Sequence, residues 1–386
     1  MMERRKNLND KFGFVGKIMR KKTTIKDIAC FSKGSQINGD LLLDEGKYEY
    51  LNGGTKASGT WNEFNVNGKT ITISEGGNSC GYVNFMKEKF WCGAHCYYLF
   101  DVKCKPKYLY YLLKGNQSNL MKLRSGACMP NIKKSDLGNF KFIYDSDVIH
   151  QDKIISIFDN LTNVIYFYEK QIKYFDNLVK ARFVEMFGDY LKEDRRPLSE
   201  VAIITGGLTK NSNRNTFETK MPYLRVANVF YNRLDLREIL KIGVKEEEIE
   251  KTLLQAGDLL FVEGNGSIEQ IGRVAIWDGS IDPILHQNHL IKARFNNEII
   301  APEYALFYFM LQDGRQQIIS KSVSTSGLNT LSVNKVSSLL LPIPPIALQK
   351  QFSVFVKLVD KSREAVKKSL EKTQQLYDSL MQEYFG

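Results

Sequence analysis

The sequence contains no run of eighteen or more apolar residues, so it predicts no membrane-spanning helix. Its first 22 residues, MMERRKNLNDKFGFVGKIMRKK, lack the apolar segment of a secretory signal, and we therefore expect a cytoplasmic protein with no membrane partner. There is no G-x-S-x-G, Walker lysine or G-x-G-x-x-G motif, and none of the four histidines lies in a nucleophile pattern. These absences favour a non-catalytic protein.

Positive charge is unevenly distributed along the chain. The formal net charge of the 386 residues is +11, and residues 1–22 contribute +6 of it, from eight Lys/Arg and two acidic residues. This segment is interpreted equally well as a solvated tail and as an arm that binds phosphates. Because the rest of the chain is only mildly basic, charge alone indicates nucleic-acid binding weakly.

The chain repeats itself. Residues 149–188 align without a gap with residues 347–386, at a constant offset of 198. Gln151 then corresponds to Gln349, and Phe-Gly ends both copies. Proline precedes the second copy, in LPIPPIALQKQF, where the first copy has Ser146 and Asp147. We expect proline in the first turn of the second helix and Ser/Asp capping of the first, and glycine after the last residue is typical of a left-handed helix end.

Both copies carry the heptad spacing of apolar residues that is typical of long, paired helices. In the first copy the seam residues are Ile154, Phe158, Leu161, Ile165, Tyr168, Ile172, Phe175 and Val179. In the second they are Phe352, Val356, Val359, Val366, Leu370, Tyr377 and Leu380, with Arg363 and Thr373 as interruptions. Such a seam needs a partner helix, and each copy is the obvious partner of the other.

The segments before the two helices also correspond, although more loosely. GKTITISEGGNSCGYVNF (68–85) matches GDLLFVEGNGSIEQIGRVAIW (257–277), and both predict a strand, a glycine-rich hairpin turn and a strand. KYLYYLLKG (107–115) matches EYALFYFMLQDG (303–314), and both predict a short helix. The predicted fold class is therefore mixed α/β, or α+β: two globular heads, each followed by a long helix.

The repeat bears on the cysteines, which all lie in the first third of the chain: Cys30, Cys80, Cys92, Cys96, Cys104 and Cys128. Without an export signal we expect free thiols. Cys92-Gly-Ala-His-Cys96 suggests zinc, but Leu290 corresponds to Cys96, which indicates an apolar strand position and no metal site. His95 corresponds to His289, and we interpret both as strand residues that pack near the surface, with base contact as the minor alternative.

Glycine-rich loops of the two heads combine Lys and Arg with Asn, Gln and Ser, the side chains that contact phosphates and base edges. Surface loops are often polar for no functional reason, so each of these residues alone is weak evidence for binding. The occurrence of such loops at equivalent places in both heads strengthens that evidence. Arg225 with Asn228, and Arg124 with Ser125, are the favoured contacts, and Lys56 and Lys210 are favoured for phosphates. The full set of DNA-binding candidates is Lys33, Ser35, Gln36, Asn52, Lys56, Ser58, Arg124, Ser125, Lys210, Asn211, Arg214, Arg225, Asn228, Asn265, Lys321 and Ser324.

This pattern resembles the DNA-specificity subunit of type I restriction–modification systems over nearly the whole chain. The features that carry the resemblance are the two variable heads, the paired helices, LPIPPIALQKQF and the two Phe-Gly ends. The resemblance implies five segments: a basic arm (1–22), target recognition domain 1 (23–145), spacer helix 1 (146–188), target recognition domain 2 (189–341) and spacer helix 2 (342–386). The helices would form an antiparallel coiled coil with pseudo-twofold symmetry.

The resemblance also implies partners. Each head would bind one half of a split, asymmetric site in double-stranded DNA, and the helices would dock two methyltransferase subunits that methylate adenine. Motor/nuclease subunits would complete a restriction enzyme, and S-adenosylmethionine, ATP and magnesium would belong to the partners, with no cofactor here. The alternatives are a coiled-coil adaptor that binds only proteins, a self-sufficient nuclease or methyltransferase, and a zinc protein.

Overall fold

The computed structural model describes residues 20–126, 130–193, 195–325 and 328–386. The chain forms two compact units, Met1–Lys170 with Lys367–Gly386, and Gln171–Val366, and each is described by itself. Most of the predicted basic arm, residues 1–19, lies outside the described residues, and so does Cys128. Among the described residues, no helix is long and apolar enough to cross a membrane.

Unit 1 combines short strands with helices. Its strands are β1 Arg20–Thr24, β2 Cys30–Lys33, β3 Tyr48–Leu51, β4 Gly59–Trp61, β5 Thr70–Ser74, β6 Val83–Met86, β7 Phe90–Cys92, β8 Cys96–Phe100 and β9 Lys141–Asp145. Its helices are α1 Ile25–Ile28, α2 Pro106–Gly115, α3 Gln117–Met121, α4 Lys134–Gly138 and the first part of α5 Val148–Phe187. The strands form three sheets, in the orders β2-β8-β5-β6, β4-β3-β7 and β1-β9.

Unit 2 has the same kind of construction. Its strands are β10 Arg195–Pro197, β11 Ala202–Gly206, β12 Lys220–Leu224, β13 Val229–Phe230, β14 Arg233–Leu234, β15 Leu240–Gly243, β16 Leu259–Val262, β17 Gly264–Asn265, β18 Val274–Ile276, β19 Leu285–His286, β20 Leu290–Phe295, β21 Val323–Thr325, β22 Leu328–Thr330 and β23 Leu340–Pro342. Its helices are α6 Glu246–Thr252, α7 Pro302–Met310, α8 Gln312–Lys321, α9 Val333–Ser337 and the first part of α10 Ile346–Phe385.

Three sheets of unit 2 repeat the three of unit 1 strand for strand, and β13-β14 and β17-β22-β21 are additional. The order β11-β20-β16-β18 matches β2-β8-β5-β6, β15-β12-β19 matches β4-β3-β7, and β10-β23 matches β1-β9. In each unit the middle strand of the three-stranded sheet makes one antiparallel and one parallel pairing. The predicted mixed fold with an internal repeat is therefore confirmed, and so are the glycine-rich connections between antiparallel strands β5–β6 and β16–β18.

A glycine at the end of β2 and of β11 is required by close backbone packing. A Cβ atom on Gly34 would lie 1.8 Å from the carbonyl oxygen of Cys92, and one on Gly207 would lie 2.1 Å from that of His286. The next backbone N–H, from Ser35 or Leu208, donates to the same carbonyl. The glycines of these two predicted loops therefore serve close packing rather than flexibility.

The two long helices, of 40 residues each, run antiparallel within each unit. In unit 1, Phe158 near the start of α5 contacts Tyr377 and Phe385 near the end of α10, with ring centroids 5.4 and 5.7 Å apart. In unit 2, Phe183 near the end of α5 contacts Phe352 near the start of α10 at 5.4 Å. Arg363 faces inward as the heptad pattern indicates, and its guanidinium donates to Asp176 at 2.9 Å.

A buried glutamine fixes the start of each long helix to the head of its own unit. The side chain of Gln151 accepts from the N–H of Lys105 at 3.0 Å and donates to the carbonyl of Asp145 at 2.8 Å. Gln349 accepts from the N–H of Ala301 at 2.9 Å and donates to the carbonyl of Pro344 at 2.8 Å. Both glutamines therefore join the start of a long helix to the residue that precedes the short helix α2 or α7.

Three details of the sequence interpretation need correction. Residues 20–22 belong to strand β1 rather than to an arm, because β1 pairs with β9 in antiparallel register. Gly188 does not have the positive φ of a left-handed helix end, and its N–H continues the helical pattern by donating to the carbonyl of Val184. Pro345 lies one residue before α10, and its carbonyl accepts from Leu348 and Gln349.

Candidate nucleic-acid interface

In unit 1 a glutamate and a histidine meet beside the glycine-rich turn. Glu75 follows β5, His95 precedes β8, and the N–H of Glu75 donates to the carbonyl of His95 at 3.0 Å. Their side chains also approach, with Nδ1 of His95 3.6 Å from Oε2 of Glu75. Lys33, at the end of β2, forms an ion pair with the other carboxylate oxygen of Glu75. The carboxylate is thus held between two basic side chains.

Unit 2 has the same pair at the same place in its sheet. Glu263 follows β16, His289 precedes β20, and the N–H of Glu263 donates to the carbonyl of His289 at 2.9 Å. The imidazole Nδ1 of His289 lies 2.8 Å from Oε2 of Glu263. We name these two sites the His95–Glu75 pair and the His289–Glu263 pair.

Each pair is joined to a loop ribbon that precedes a short helix. In unit 1 the N–H of Ile132 donates to the carbonyl of Glu75 at 2.8 Å, and Asn131 forms bridges with Gly76 and Ser125. In unit 2 the N–H of Leu331 donates to the carbonyl of Glu263 at 2.7 Å, and β17, β22 and β21 form a three-stranded ribbon. The DNA major groove admits an α-helix or a two-stranded β-ribbon, and the antiparallel pair β21–β22 is such a two-stranded element.

Several of the candidates from the sequence lie around the His95–Glu75 pair. Lys33 contacts Glu75, Asn52 accepts at Oδ1 from the N–H of His95 at 3.2 Å, and Ser125 belongs to the ribbon with exposed Arg124 before it. The remaining candidates of unit 1 are exposed loop residues: Ser35, Gln36, Lys56 and Ser58.

In unit 2 the structure brings fewer candidates together. Asn265 lies in β17 and Ser324 in β21, so both belong to the ribbon, although the side chain of Ser324 is outside the described atoms. Lys321 is the last residue of α8, and a single residue separates it from β21. Lys210 and Asn211 are exposed, and Asn211 accepts from the N–H of Arg214 at 3.2 Å, which starts a short 3-10 helix.

Two candidates of unit 2 have internal structural roles and are removed from the interface. Arg214 is buried, and its guanidinium donates to the carbonyls of Thr209 and Gly243 and to both carboxylate oxygens of Glu248. These hydrogen bonds hold the pKa of the Glu248 carboxyl below its usual value. Asn228 is also buried, and its amide donates to the carbonyls of two residues in the segment 235–238.

Arg225, the candidate predicted together with Asn228, is half-buried and forms an ion pair with Glu238 at 2.8 Å. Its N–H also donates to the side chain of Asn228 at 2.9 Å. Because Glu238 is itself well exposed, the ion pair lies at the surface, and DNA could compete for the guanidinium. Arg225 stays a prediction.

The cysteines of the zinc hypothesis lie in a small apolar cluster. Cys92 and Cys96 are buried with Leu51, Val66 and Phe90. The hydrogen bond that joins the two thiols raises the pKa of Cys92, to which burial adds, and lowers the pKa of Cys96. In the described part of the chain, no group of three or more His, Cys, Asp or Glu side chains could hold a metal ion.

The sequence interpretation missed the two His–Glu pairs as common features of both units. The signal was available, because EGGNS aligns with EGNGS and His95 aligns with His289. The sequence predicts packing residues in strands, whereas both imidazoles are exposed and lie directly before strands. A strand pattern cannot show which loop residues meet across a sheet, and that contact became visible only in the fold.

Comparisons with known proteins agree with this architecture. The family model of the type I restriction modification DNA specificity domain matches residues 20–174 and, a second time, residues 193–375. A type I specificity subunit of Mycoplasma genitalium is 26% identical over 383 residues, covering 94% of this chain and 93% of that protein. One of Mycoplasma pneumoniae is 38% identical over 144 residues, covering 36% of this chain and 38% of that protein.

Two further relatives complete the comparison. The EcoKI specificity subunit of Escherichia coli is 30% identical over 135 residues, covering 34% of this chain and 28% of that protein. The crystal structure of the M. genitalium type I S subunit matches with a TM-score of 0.59 at 25% identity and covers 96% of this chain and 97% of that chain. The family model accounts for most of the chain, in two copies that match its two repeats. The chain therefore belongs to the family of non-catalytic DNA-specificity subunits of type I restriction–modification systems.

Proposed function

We propose that each head binds one half of a split DNA site through its loop ribbon and the residues around its His–Glu pair. The observation that carries this proposal is the repetition of one sheet topology with different side chains at equivalent places. By the strand registers, Lys33 corresponds to Gly206, and Asn131, which precedes Ile132, corresponds to Thr330, which precedes Leu331. Two such surfaces favour two different half-sites, and hence an asymmetric target.

The same proposal covers the partners and the division of chemistry. The family implies assembly with the other subunits of a restriction–modification complex and with DNA, and we infer two methyltransferase subunits that modify adenine. S-adenosylmethionine, and ATP and magnesium where a motor/nuclease subunit takes part, would be bound by those partners. The complex would act in the cytoplasm, where the chromosome is accessible.

Methylome sequencing tests the proposal in a host that carries this chain with its methyltransferase partner. A split adenine-methylated motif should be present with the intact chain and absent when only this chain is deleted. Replacing residues 198–336 by the equivalent segment of another specificity subunit should change one half of the motif and keep the other. If the exchange changes both halves, or neither, the assignment of one half-site to each head is wrong.

Binding measurements separate this proposal from the adaptor alternative. The assembled complex should bind its motif with an affinity that falls steeply with salt, because phosphate contacts release counterions. The methyltransferase subunits without this chain serve as the control. Assembly that is normal but adds no salt-sensitive DNA binding would favour a coiled-coil adaptor.

A further inference from the structure

The His–Glu pairs are the same in the two units although the residues around them differ. Each glutamate follows the equivalent strand, each histidine precedes the equivalent strand, and the backbone bonds between them are 3.0 and 2.9 Å long. Lys33 contacts the carboxylate in unit 1, whereas the equivalent residue in unit 2 is Gly206. The His–Glu pair therefore occurs in both units, whereas the residue that contacts it in unit 1 has no counterpart of the same type in unit 2.

Two heads that bind different half-sites must do so through residues that differ between them. A residue pair that is the same in both heads therefore suits a feature that both half-sites share. In a DNA duplex the feature common to every sequence is the sugar–phosphate backbone, whose contacts set the register of a protein without reading bases. This step rests on the proposed function.

The geometry of the pair fits that task. In unit 2 the carboxylate of Glu263 is hydrogen-bonded to Nδ1 of His289 at 2.8 Å, which fixes the ring. In unit 1 Oε2 of Glu75 faces Nδ1 of His95 at 3.6 Å. The histidine side chains are 66% and 55% exposed, so much of each ring remains accessible to a ligand. A ring whose Nδ1 is held by a carboxylate can donate from Nε2, as an imidazolium, to a phosphate oxygen.

We propose that His95 and His289 each donate a hydrogen bond to a DNA phosphate, with Glu75 and Glu263 as positioning residues. The contact is the same in both heads and independent of base sequence. It would fix the height and register of each head on the duplex, so that the differing ribbon residues reach the base edges of their own half-site.

The test uses the full chain assembled with its methyltransferase subunits and measures binding to two duplexes, one with the methylated motif and one unrelated. His95→Ala and His289→Ala should each weaken binding to both duplexes by the same factor, about fivefold, as expected for one hydrogen bond. The double variant should lose about the product of the two factors, since the sites are in different units. His95→Gln, which keeps an N–H donor, should retain most of the affinity.

Asn297→Ala, at an exposed position just after β20, at the opposite end of that strand from His289, is the control and should bind like the unchanged chain. A loss confined to the motif duplex would overturn the proposal in favour of base reading. Unchanged binding to both duplexes, with or without a lower Tm, would show that the pair has only a structural role. If the unchanged complex itself does not bind DNA, the proposed function fails, and that result is distinct from either outcome for the histidines.

Discussion

At the scale of single residues, two histidines that are close together in unit 2 differ completely in solvent exposure. His289 is exposed beside Glu263, whereas His286, three residues earlier, is fully buried in β19. Nδ1 of His286 lies 2.8 Å from the carbonyl of Thr252, so the neutral ring is held as a hydrogen-bond donor. Burial lowers the pKa of His286 to about 4. Its role is therefore to support the core of unit 2.

This burial predicts that unit 2 loses stability in mild acid. The unfolded chain takes up a proton at the ordinary histidine pKa of 6.5, and the folded chain only near 4, so the unfolded state binds more protons between these values. The contribution is complete above pH 6.5 and is lost as the pH falls towards 4, by up to about 3 kcal/mol. Urea unfolding followed by Trp277, in a chain with Trp61→Phe and Trp91→Phe, measures this change, since Trp277 is buried in unit 2.

His286→Gln provides the control for this acid sensitivity. Glutamine can still donate to the carbonyl of Thr252 but has no proton to gain, so the free energy of unfolding of the variant should vary much less between pH 6.5 and 4.5. An equal loss of stability in the variant and the parent chain would mean that another group in unit 2 is responsible.

Among the secondary-structure elements, the long helices depend on their connections at the start more than on their end signals. Proline in one repeat and aspartate in the other occupy the helix start, and Asp147 caps α5 by accepting from the N–H of Ile149 at 2.9 Å. The buried glutamine is the part that the two helix starts share. It satisfies a backbone N–H and carbonyl groups that would otherwise be buried without partners.

Gln349→Ala should therefore destabilise unit 2 by about 2–4 kcal/mol. The substitution leaves the N–H of Ala301 and the carbonyls of Ile299 and Pro344 without the bonds that the side chain makes. Urea unfolding with Trp277 as the probe gives the value. Gln351→Ala, at an exposed position on the part of the same helix that belongs to unit 2, should change stability by less than about 0.5 kcal/mol. Similar small effects of both substitutions would refute the importance of the glutamine.

A second connection between head and helix is made with opposite charges in the two units. Lys107 bonds Asp159 at 2.6 Å in unit 1, and Glu303 bonds Lys357 at 3.3 Å in unit 2. In both cases the first partner is the second residue of α2 or α7, and the other is the twelfth residue of α5 or α10. The repeat has thus kept the ion pair while exchanging its two signs.

Charge reversal tests that connection. Asp159→Lys should lower the stability of unit 1 by about 1–2 kcal/mol, because it places two lysines together and removes the acceptor of the Tyr111 hydroxyl. Lys107→Glu combined with Asp159→Lys should recover part of the loss in calorimetry, since the ion pair is restored but the Tyr111 hydrogen bond is not. A double variant that is no more stable than the single one would show that the charges are not coupled.

At the scale of the whole molecule, the repeat makes the two heads interchangeable modules on equivalent helices. Each unit contains one head and parts of both long helices, so the heads do not need each other to complete a sheet. Because the helix starts are held by the same glutamine contacts in both units, a head should be accepted at either position.

A chain that carries the second head twice should therefore bind a symmetric site. Replacing residues 25–137 by residues 198–336 gives both positions the same reading surface, and the two half-sites should then have the same sequence on opposite strands. Methylome sequencing of a host with this chain and its partner reads the result directly. An unchanged asymmetric motif would contradict the assignment of half-sites to heads.

The repeat, the heptad seams and the motif at the helix start were readable from the sequence because they depend on local periodicity and on a constant offset. Ile154, Phe158, Phe352 and Val356 are buried, as their spacing predicts. The mixed fold followed from strand and helix patterns in the heads. Cys92 and Cys96 were likewise interpreted correctly as apolar positions, because Leu290 occupies the position of Cys96 in the second repeat.

The sequence by itself thus determined the family, the architecture and the pairing of the helices. Only the tertiary structure decided which polar loop residues are available to a ligand. Arg214 and Asn228 look like binding residues in the sequence, but the fold buries both and surrounds them with backbone carbonyls, from residues between 5 and 29 positions away. His95 and His289, for which the sequence left DNA contact as the minor alternative, became the favoured candidates only when folding placed a carboxylate beside each one. The physical reason is that local pattern fixes secondary structure, whereas the burial and partners of a polar side chain depend on how the loops and strands pack together.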